Sequence, residues 1–420
     1  MTAEIAILNR SVIALAADSA VTVGASRVGG VERVWKSTNK IFSLSPENDI
    51  GVMIFGAGDF CGIPWETILK LFAQQRNKVY STVADCKTEF VEFVKSFPSF
   101  DPSLEGLNSY ILILDLVGEI CNAARARTKT ESKKRVGEYI AARHVDLDNF
   151  EDTASQFTAT DFVQAYSKLI FDTLIEGVNF VPSAAMMGKV VDFCRACFQK
   201  ALGSSYETGV VFGGFGSEEL FPCLSSVVFD GKSACGVRWW NQPTEINMDQ
   251  WKKSSAFIIP FAQGDIAHLF IEGIEEGYLA FLETTLRGAL IEKSRNILKS
   301  YVPEQERVVE TVLQEKENEA AVSSILVDFR ELRRRKIVDP MLSVVRNLPK
   351  EEMAAMAESL VEVTSLRRRM DSDVESVAGP VDVCLISKGD GLVWIKRKHY
   401  FDAGMNTEFI SRRAKRRNHD

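Results

Sequence analysis

Two short apolar runs open the chain, residues 3–9 and 12–17, both rich in Ile, Leu, Val and Ala. The polar turn Asn9-Arg10-Ser11 separates them, which is the pattern of a β-hairpin. Both runs are apolar on both faces, so they predict a sheet covered on both sides. A second hairpin follows over 40–44 and 50–55, with a turn at Ser45-Pro46-Glu47-Asn48-Asp49. A Gly- and Ser-rich link, 19–39, joins the two hairpins.

From Pro64 the period changes. Trp65, Ile68, Leu69 and Phe72 recur at helical spacing, and Pro64 suits a first helical turn. A second helix is predicted from about Thr82, with Phe90, Val91, Val94 and Phe97 on one face. Residues 108–205 read as mostly helical, with a start at Thr160-Asp161 and a stop at Gly203. Strand patterns return at 209–212, 224–229 and 381–386, and Gly389-Asp390-Gly391 turns into the apolar 392–395. Between them, 265–370 is helical and highly charged. Gly213-Gly214-Phe215-Gly216 lacks the helix spacing of a phosphate loop and reads as a turn between strands. Helices come in blocks rather than one per strand. That order predicts layered antiparallel sheets and helices, not a doubly wound parallel sheet.

Composition narrows this picture. At roughly 100–200 residues per domain, 420 residues imply two or three domains or one domain with large insertions. Apolar residues at 46% and charged residues at 25% are ordinary globular values. Fifty basic against fifty-seven acidic residues leave −7, which argues against a whole-surface nucleic-acid binder. The basic runs 333–336, 367–369 and 412–417 read as solvated faces or a solvated tail. Four histidines do not suggest a histidine-rich metal site. Eight cysteines are below disulfide-scaffold density, and Cys194-Arg195-Ala196-Cys197 reads as a structural pair inside a helix. Reduced thiols fit a cytoplasmic setting. No apolar run approaches the ~20 residues that span a bilayer. The run 12–17 is too short for a signal peptide and ends at Asp18, so the N-terminus is expected to be retained.

The chemistry concentrates in the first hairpins. A three-residue loop at 9–11 would face Leu8 with Val12 and set Thr2 opposite Asp18, with Cβ atoms about 4.5–5.5 Å apart. A one-residue slip would set Asp18 opposite Ala3 instead. In the second hairpin, Lys40 falls opposite Phe55 or Gly56. A hydroxyl, a carboxylate, a lysine and a glycine backbone thus gather at the ends of adjacent strands. Loss of the initiator methionine would give Thr2 a free α-amine, with an ordinary pKa of about 7.7–8.0 that suits a general base. A threonine with its own amine is a nucleophile–base pair.

Thr2-Ala3-Glu4-Ile5-Ala6-Ile7, Ala16-Ala17-Asp18-Ser19, Lys40-Ile41-Phe42 and Ile54-Phe55-Gly56-Ala57-Gly58 together resemble a proteasome β-subunit. That places the resemblance in the N-terminal-nucleophile (Ntn) hydrolase superfamily. It implies an α+β fold, a four-layer αββα sandwich of antiparallel sheets, here with large helical insertions. It implies Thr2 as the nucleophile and Lys40 as the lysine that lowers proton affinity at the nucleophile. Asp18 would orient that lysine, and the Gly56 N–H would be the oxyanion donor. Ala20, Thr22, Ile54 and Ala57 would line the substrate. Asp373-Val374-Glu375-Ser376 resembles the supporting Asp-x-x-Ser element, which makes Asp373 and Ser376 supporting residues. The chain departs from the family in three places. The link between Asp18 and Lys40 is long, so Lys36 competes for the lysine role. Gln263-Gly264 stands where the family has Ser-Gly, and Ala20 replaces an arginine.

The resemblance divides the chain into core segments 1–105, 206–275 and 346–400, helical insertions 106–205 and 276–345, and a basic tail 401–420. It implies a cytoplasmic threonine-type peptidase or amidohydrolase acting on a peptide or protein, with no cofactor, metal or membrane, as a homo-oligomer. No segment points to an unfoldase partner. An inactive scaffold of the same fold and an amidohydrolase of a small amide stand as alternatives.

Overall fold

The computed structural model describes residues 3–23, 33–35, 38–44, 47–76, 78–97, 104–153, 158–233, 236–248, 256–262, 265–301, 307–370, 379–399, 401–402, 404–408 and 411. In chain order the strands are β1 Ala3–Asn9, β2 Ile13–Ala17, β3 Val21–Val23, β4 Arg33–Trp35, β5 Ile41–Ser43, β6 Asp49–Gly56, β7 Asp59–Phe60, β8 Ile63–Pro64, β9 Thr208–Phe215, β10 Cys223–Ser233, β11 Gly236–Asn241, β12 Ile246–Asn247, β13 Ala256–Ala262, β14 Asp382–Ser387 and β15 Gly391–Lys396. The helices are α1 Trp65–Gln75, α2 Val83–Ser96, α3 Leu107–Ala123, α4 Lys129–Asp146, α5 Ala159–Gly177, α6 Ala184–Gln199, α7 Asp265–Glu272, α8 Glu276–Tyr301, α9 Arg307–Arg333, α10 Asp339–Val345 and α11 Lys350–Met370. Antiparallel sheets with helices in separate blocks make this an α+β chain. Contacts divide it into two units, 1–37 with 252–385 and 394–420, and 38–251 with 386–393.

In the first unit the sheet order is β13-β1-β2-β14-β15. Every residue of β1 and β2 is buried, as runs apolar on both faces require. Ile5, Ile7, Ala14 and Ala16 share a core with Met353, Ala357, Leu360 and Val361 of α11. Those α11 positions fall at helical spacing along one stripe, which is why a strongly charged segment still packs as a helix.

The first hairpin corrects the expected register. Leu8 pairs with Ile13, not Val12, and Glu4 pairs with Ala17. Asn9 is the cause. Its N–H donates to Val12 O at 3.1 Å, and its Oδ1 accepts from the N–H groups of Ser11 (3.0 Å) and Val12 (3.2 Å). This side-chain turn belongs to asparagine chemistry and lengthens the loop by one residue. Asn9 Nδ2 then donates to Val345 O and Leu348 O at 3.2 and 3.1 Å, tying the turn to the end of α10.

In the second unit the sheet order is β11-β10-β9-β6-β5, with β12 also on β10. α1 buries Trp65, Ile68, Leu69 and Phe72, the four positions its period picks out. Thr82 caps α2 by accepting from Asp85 N at 3.0 Å. Trp65, Phe72, Phe90, Phe212 and Phe229 form an aromatic core between these helices and the sheet. A separate apolar core holds α3–α6 together, with Phe162, Phe193 and Phe198 among its largest members. Cys194 and Cys197 lie inside it, and burial pushes both thiols up, Cys197 to about 12. Such thiols are inert core residues. Among the described residues no group of His, Cys, Asp or Glu could hold a metal ion, and no helix is long and apolar enough to cross a membrane.

Two further expectations change. Gly213, Gly214 and Phe215 lie inside β9 and not in a turn, and β9 runs over 208–215. A Cβ on Gly214 would fall 2.0 Å from Asp49 O, so glycine there lets two strands approach rather than turn. Gly203 does not stop a helix, because α6 ends at Gln199. A Cβ on Gly203 would fall 1.5 Å from Glu207 Oε2, so its role is to leave room for that carboxyl.

Candidate functional site

The sequence-predicted residues fall into three groups. Thr2, Asp373 and Ser376 lie outside the described residues, as do Lys36 and Gln263. Asp18 and Ala20 belong to the first unit, and so does Thr22, which pairs with Val34 between β3 and β4. Lys40, Ile54, Gly56 and Ala57 belong to the second unit.

Asp18 stands opposite Ala3 rather than Thr2, the one-residue slip that strand pairing leaves open. The side chain is 1% exposed. Its Oδ1 accepts from Ala3 N at 3.0 Å and its Oδ2 from Ala20 N at 3.0 Å. Asp18 N in turn donates to Ala3 O at 3.1 Å. A buried carboxylate is costly unless hydrogen-bonded, and two amides supply charge-assisted bonds. The amide held by Oδ1 is the peptide link from Ala3 back to Thr2. Ser19, also buried, donates its hydroxyl to Pro380 O at 2.5 Å. Asp18 is therefore fixed in place from both sides of its own strand end.

In the second unit, Ile41 pairs with Met53, which carries Lys40 opposite Ile54. Ile54 N donates to Lys40 O at 2.9 Å. This corrects the expected partner, Phe55 or Gly56, by one or two residues. The β5–β6 loop is centred on Glu47, and the strands register from there. Strand alternation puts Lys40, Ile54 and Gly56 in one row. The Lys40 side chain is 3% exposed.

Gly56 has φ +86°, and a Cβ there would lie 2.2 Å from Glu207 O. Both facts require glycine. The turn that follows is held twice. Ala57 N donates to Glu207 O at 2.9 Å, and Thr208 Oγ1 donates to Ala57 O at 2.8 Å. Phe55 packs its ring where a Cβ on Gly209 would stand, 2.0 Å away, which explains the glycine facing it on β9.

Sequence reasoning missed the charged cluster behind this turn. Asp230 on β10 and Arg238 on β11 form a salt bridge, with side chains 0% and 1% exposed. Asp230 also accepts from Ser204 N at 3.2 Å, Ser204 Oγ at 2.5 Å and Asn108 Nδ2 at 3.1 Å. Arg238 donates to the carbonyls of Phe198 (3.2 Å), Lys200 and Leu202 (2.7 Å each). Its guanidinium sits 4.9 Å from the Phe198 ring centre and 5.0 Å from that of Trp240. The cluster thus ties the end of α6 to the sheet. An aspartate and an arginine eight positions apart in a strand hairpin carry no sequence signal that they will be buried.

Burial pushes the carboxyl of Glu207 up to about 7, with Asp230 adding to the rise and Arg238 opposing it. The proton is thus held more tightly in the folded chain than in the unfolded one. The associated stability is fully present below about pH 4.5 and is lost as pH rises to about 7. We expect the unfolding free energy, measured by denaturant titration between pH 5 and 8, to decline over that range. Glu207→Gln, which imitates the protonated form, should flatten the decline. An unchanged slope in the variant would assign it to other groups.

No family model matches the chain, and no curated protein matches it. Among solved structures, it is similar to the Anbu (Gly-1) mutant from Hyphomicrobium sp. strain MC1. The identity is 11% and the TM-score 0.28, over 100% of this chain and 96% of that one. A likeness at that level leaves the functional reading to rest on the chain's own residues.

Proposed function

We propose that this chain is a proteasome-like Ntn hydrolase that cleaves an amide, as in a peptide bond, through Thr2 once Met1 is removed. In this reading the Thr2 hydroxyl attacks the carbonyl carbon while its own α-amine takes the proton. The amine returns that proton to the leaving nitrogen, the C–N bond breaks and an ester to Thr2 forms. Water then hydrolyses the ester by the same proton route. Lys40 would supply the ammonium that favours the deprotonated nucleophile, and Asp18 would orient it. The Gly56 N–H would meet the developing oxyanion, a contact worth roughly 2.7–4 kcal/mol in other enzymes. Asp373 and Ser376 would support the threonine, and Ala20, Thr22, Ile54 and Ala57 would line the substrate. The fold completed by this reading is the four-layer αββα sandwich, in a cytoplasmic homo-oligomer that takes peptide or protein substrates. The chemistry calls on no cofactor.

The observation that carries the reading is the buried Asp18 carboxylate bonded to the amide that joins Ala3 to Thr2. The same observation favours one other reading. Both Asp18 oxygens accept backbone amides, and that would suffice for a non-catalytic scaffold. Two measurements separate them. Intact-mass analysis should show loss of Met1. An electrophile directed at N-terminal threonine should label the wild type and leave Thr2→Ala unlabelled. A retained methionine, or equal labelling of both proteins, would end the hydrolase reading.

A further inference from the structure

One residue of a distant segment holds the Gly56-Ala57 turn. Glu207 O accepts from Ala57 N at 2.9 Å, and a Cβ on Gly56 would lie 2.2 Å from that oxygen. The segment before Glu207 is pinned separately. Ser204 donates to Asp230 through both its N–H and its hydroxyl, and Tyr206 O accepts from Asn108 Nδ2 at 3.0 Å. The Glu207 carboxyl lies against Gly203, where a Cβ would fall 1.5 Å from its Oε2. The carboxyl and the carbonyl belong to the same residue. A backbone rotation that lets the carboxyl out to water therefore takes the carbonyl off Ala57 N.

The slot over Gly203 suits a neutral acid better than a carboxylate. Among the described residues none donates a hydrogen bond to the Glu207 carboxyl. Burial disfavours its charge first, Asp230 of β10 repels it, and Arg238 of β11 opposes that repulsion. Arg238 is already committed to Asp230 and to the carbonyls of Phe198, Lys200 and Leu202. Tyr166 of α5 and Cys197 of α6 act on Arg238, and a phenol and a thiol are ordinarily uncharged at pH 7. Gly203 and the Gly56-Ala57 turn bring no titratable side chain. A carboxylate in this slot would be charged, partly desolvated and without a donor, whereas in water it would be fully hydrated.

We propose that Glu207 is a pH-sensitive latch on the Gly56-Ala57 turn. Protonated, the side chain rests over Gly203 and its carbonyl holds Ala57 N. Ionised, the carboxylate moves out to water, the carbonyl turns with it and the turn is released. The proton goes to solvent, and no bond other than O–H breaks. The latch lies wholly within the second unit, and neither it nor its test calls on Thr2. Its consequence is regulatory, because opening near neutral pH would change how the Gly56 N–H is presented.

Amide hydrogen exchange on the full-length chain tests it, with rates corrected for the intrinsic effect of pH. Protection of Ala57 N should fall by about tenfold between pH 6 and pH 8, the change expected when a group that titrates near neutral pH in the latched state is released to an ordinary carboxyl. The core peptides of β10 should keep their protection over the same range. Glu207→Gln should hold Ala57 protected at both pH values. Gly203→Ala should leave it exposed at both, since the added methyl displaces only the flexible end of the Glu207 side chain. Three results would overturn the proposal. One is Ala57 protection that does not change with pH in the wild type. Another is a fall of the same size in Glu207→Gln. The third is a loss shared equally by β10, which would mark global unfolding and not a local latch. Full protection at pH 6 in Gly203→Ala would overturn it as well.

Discussion

Asp18→Asn should nearly abolish labelling of Thr2 by a threonine-directed electrophile and should lower stability by about 1–3 kcal/mol. The carboxylate accepts two backbone amides with its two oxygens, Ala3 N on one and Ala20 N on the other. An asparagine can offer an oxygen to only one of them. Its amide nitrogen would face the other N–H, donor against donor, in a site that is 1% exposed. One buried amide then loses its partner, and the strand end that leads back to Thr2 loses its anchor. The chemical effect is separate from the structural one. If Asp18 orients the ammonium of Lys40, the labelling rate per folded molecule falls by orders of magnitude more than the folded fraction does. Thermal unfolding and labelling kinetics on the same sample distinguish these effects. A variant that loses stability but labels at the wild-type rate would reduce Asp18 to a structural anchor.

The strands and helices were legible because their apolar positions repeat at two distinct periods. Trp65, Ile68, Leu69 and Phe72 are buried along α1 as their spacing demands. The runs of β1 and β2, apolar but for Glu4 and Asn9, are buried on both faces. Register was less legible, because it depends on turns. The Asn9 side chain closes its own turn and moves Asp18 from Thr2 to Ala3. That slip changes which backbone group the carboxylate holds, and only a three-dimensional turn could decide it. The glycines show the same limit. Gly203 and Gly214 look like punctuation in the sequence, yet each makes room for a group from elsewhere, Glu207 and Asp49. Glu207, Asp230 and Arg238 had no signal at all, since the pairing of β9, β10 and β11 brings them together and charged residues in such hairpins carry no mark of burial.

Asp230→Ala should cost about 3–5 kcal/mol, the largest stability loss expected from a single substitution away from the proposed nucleophile. Arg238 is 1% exposed and cannot shed its charge near neutral pH, so it would remain as a buried cation without its carboxylate. Ser204 and Asn108 would lose an acceptor at the same time. The three carbonyls from the end of α6 would still hold Arg238, which limits the damage to less than full desolvation. Removing both charges should be milder than removing one. Asp230→Leu combined with Arg238→Met replaces the pair by apolar volume between Phe198 and Trp240 and should recover part of the loss. Denaturant unfolding of the two single variants and the double variant gives the coupling directly. A double variant no better than the additive sum would mean that the carbonyl contacts of Arg238, and not its pairing with Asp230, hold the helical block on the sheet.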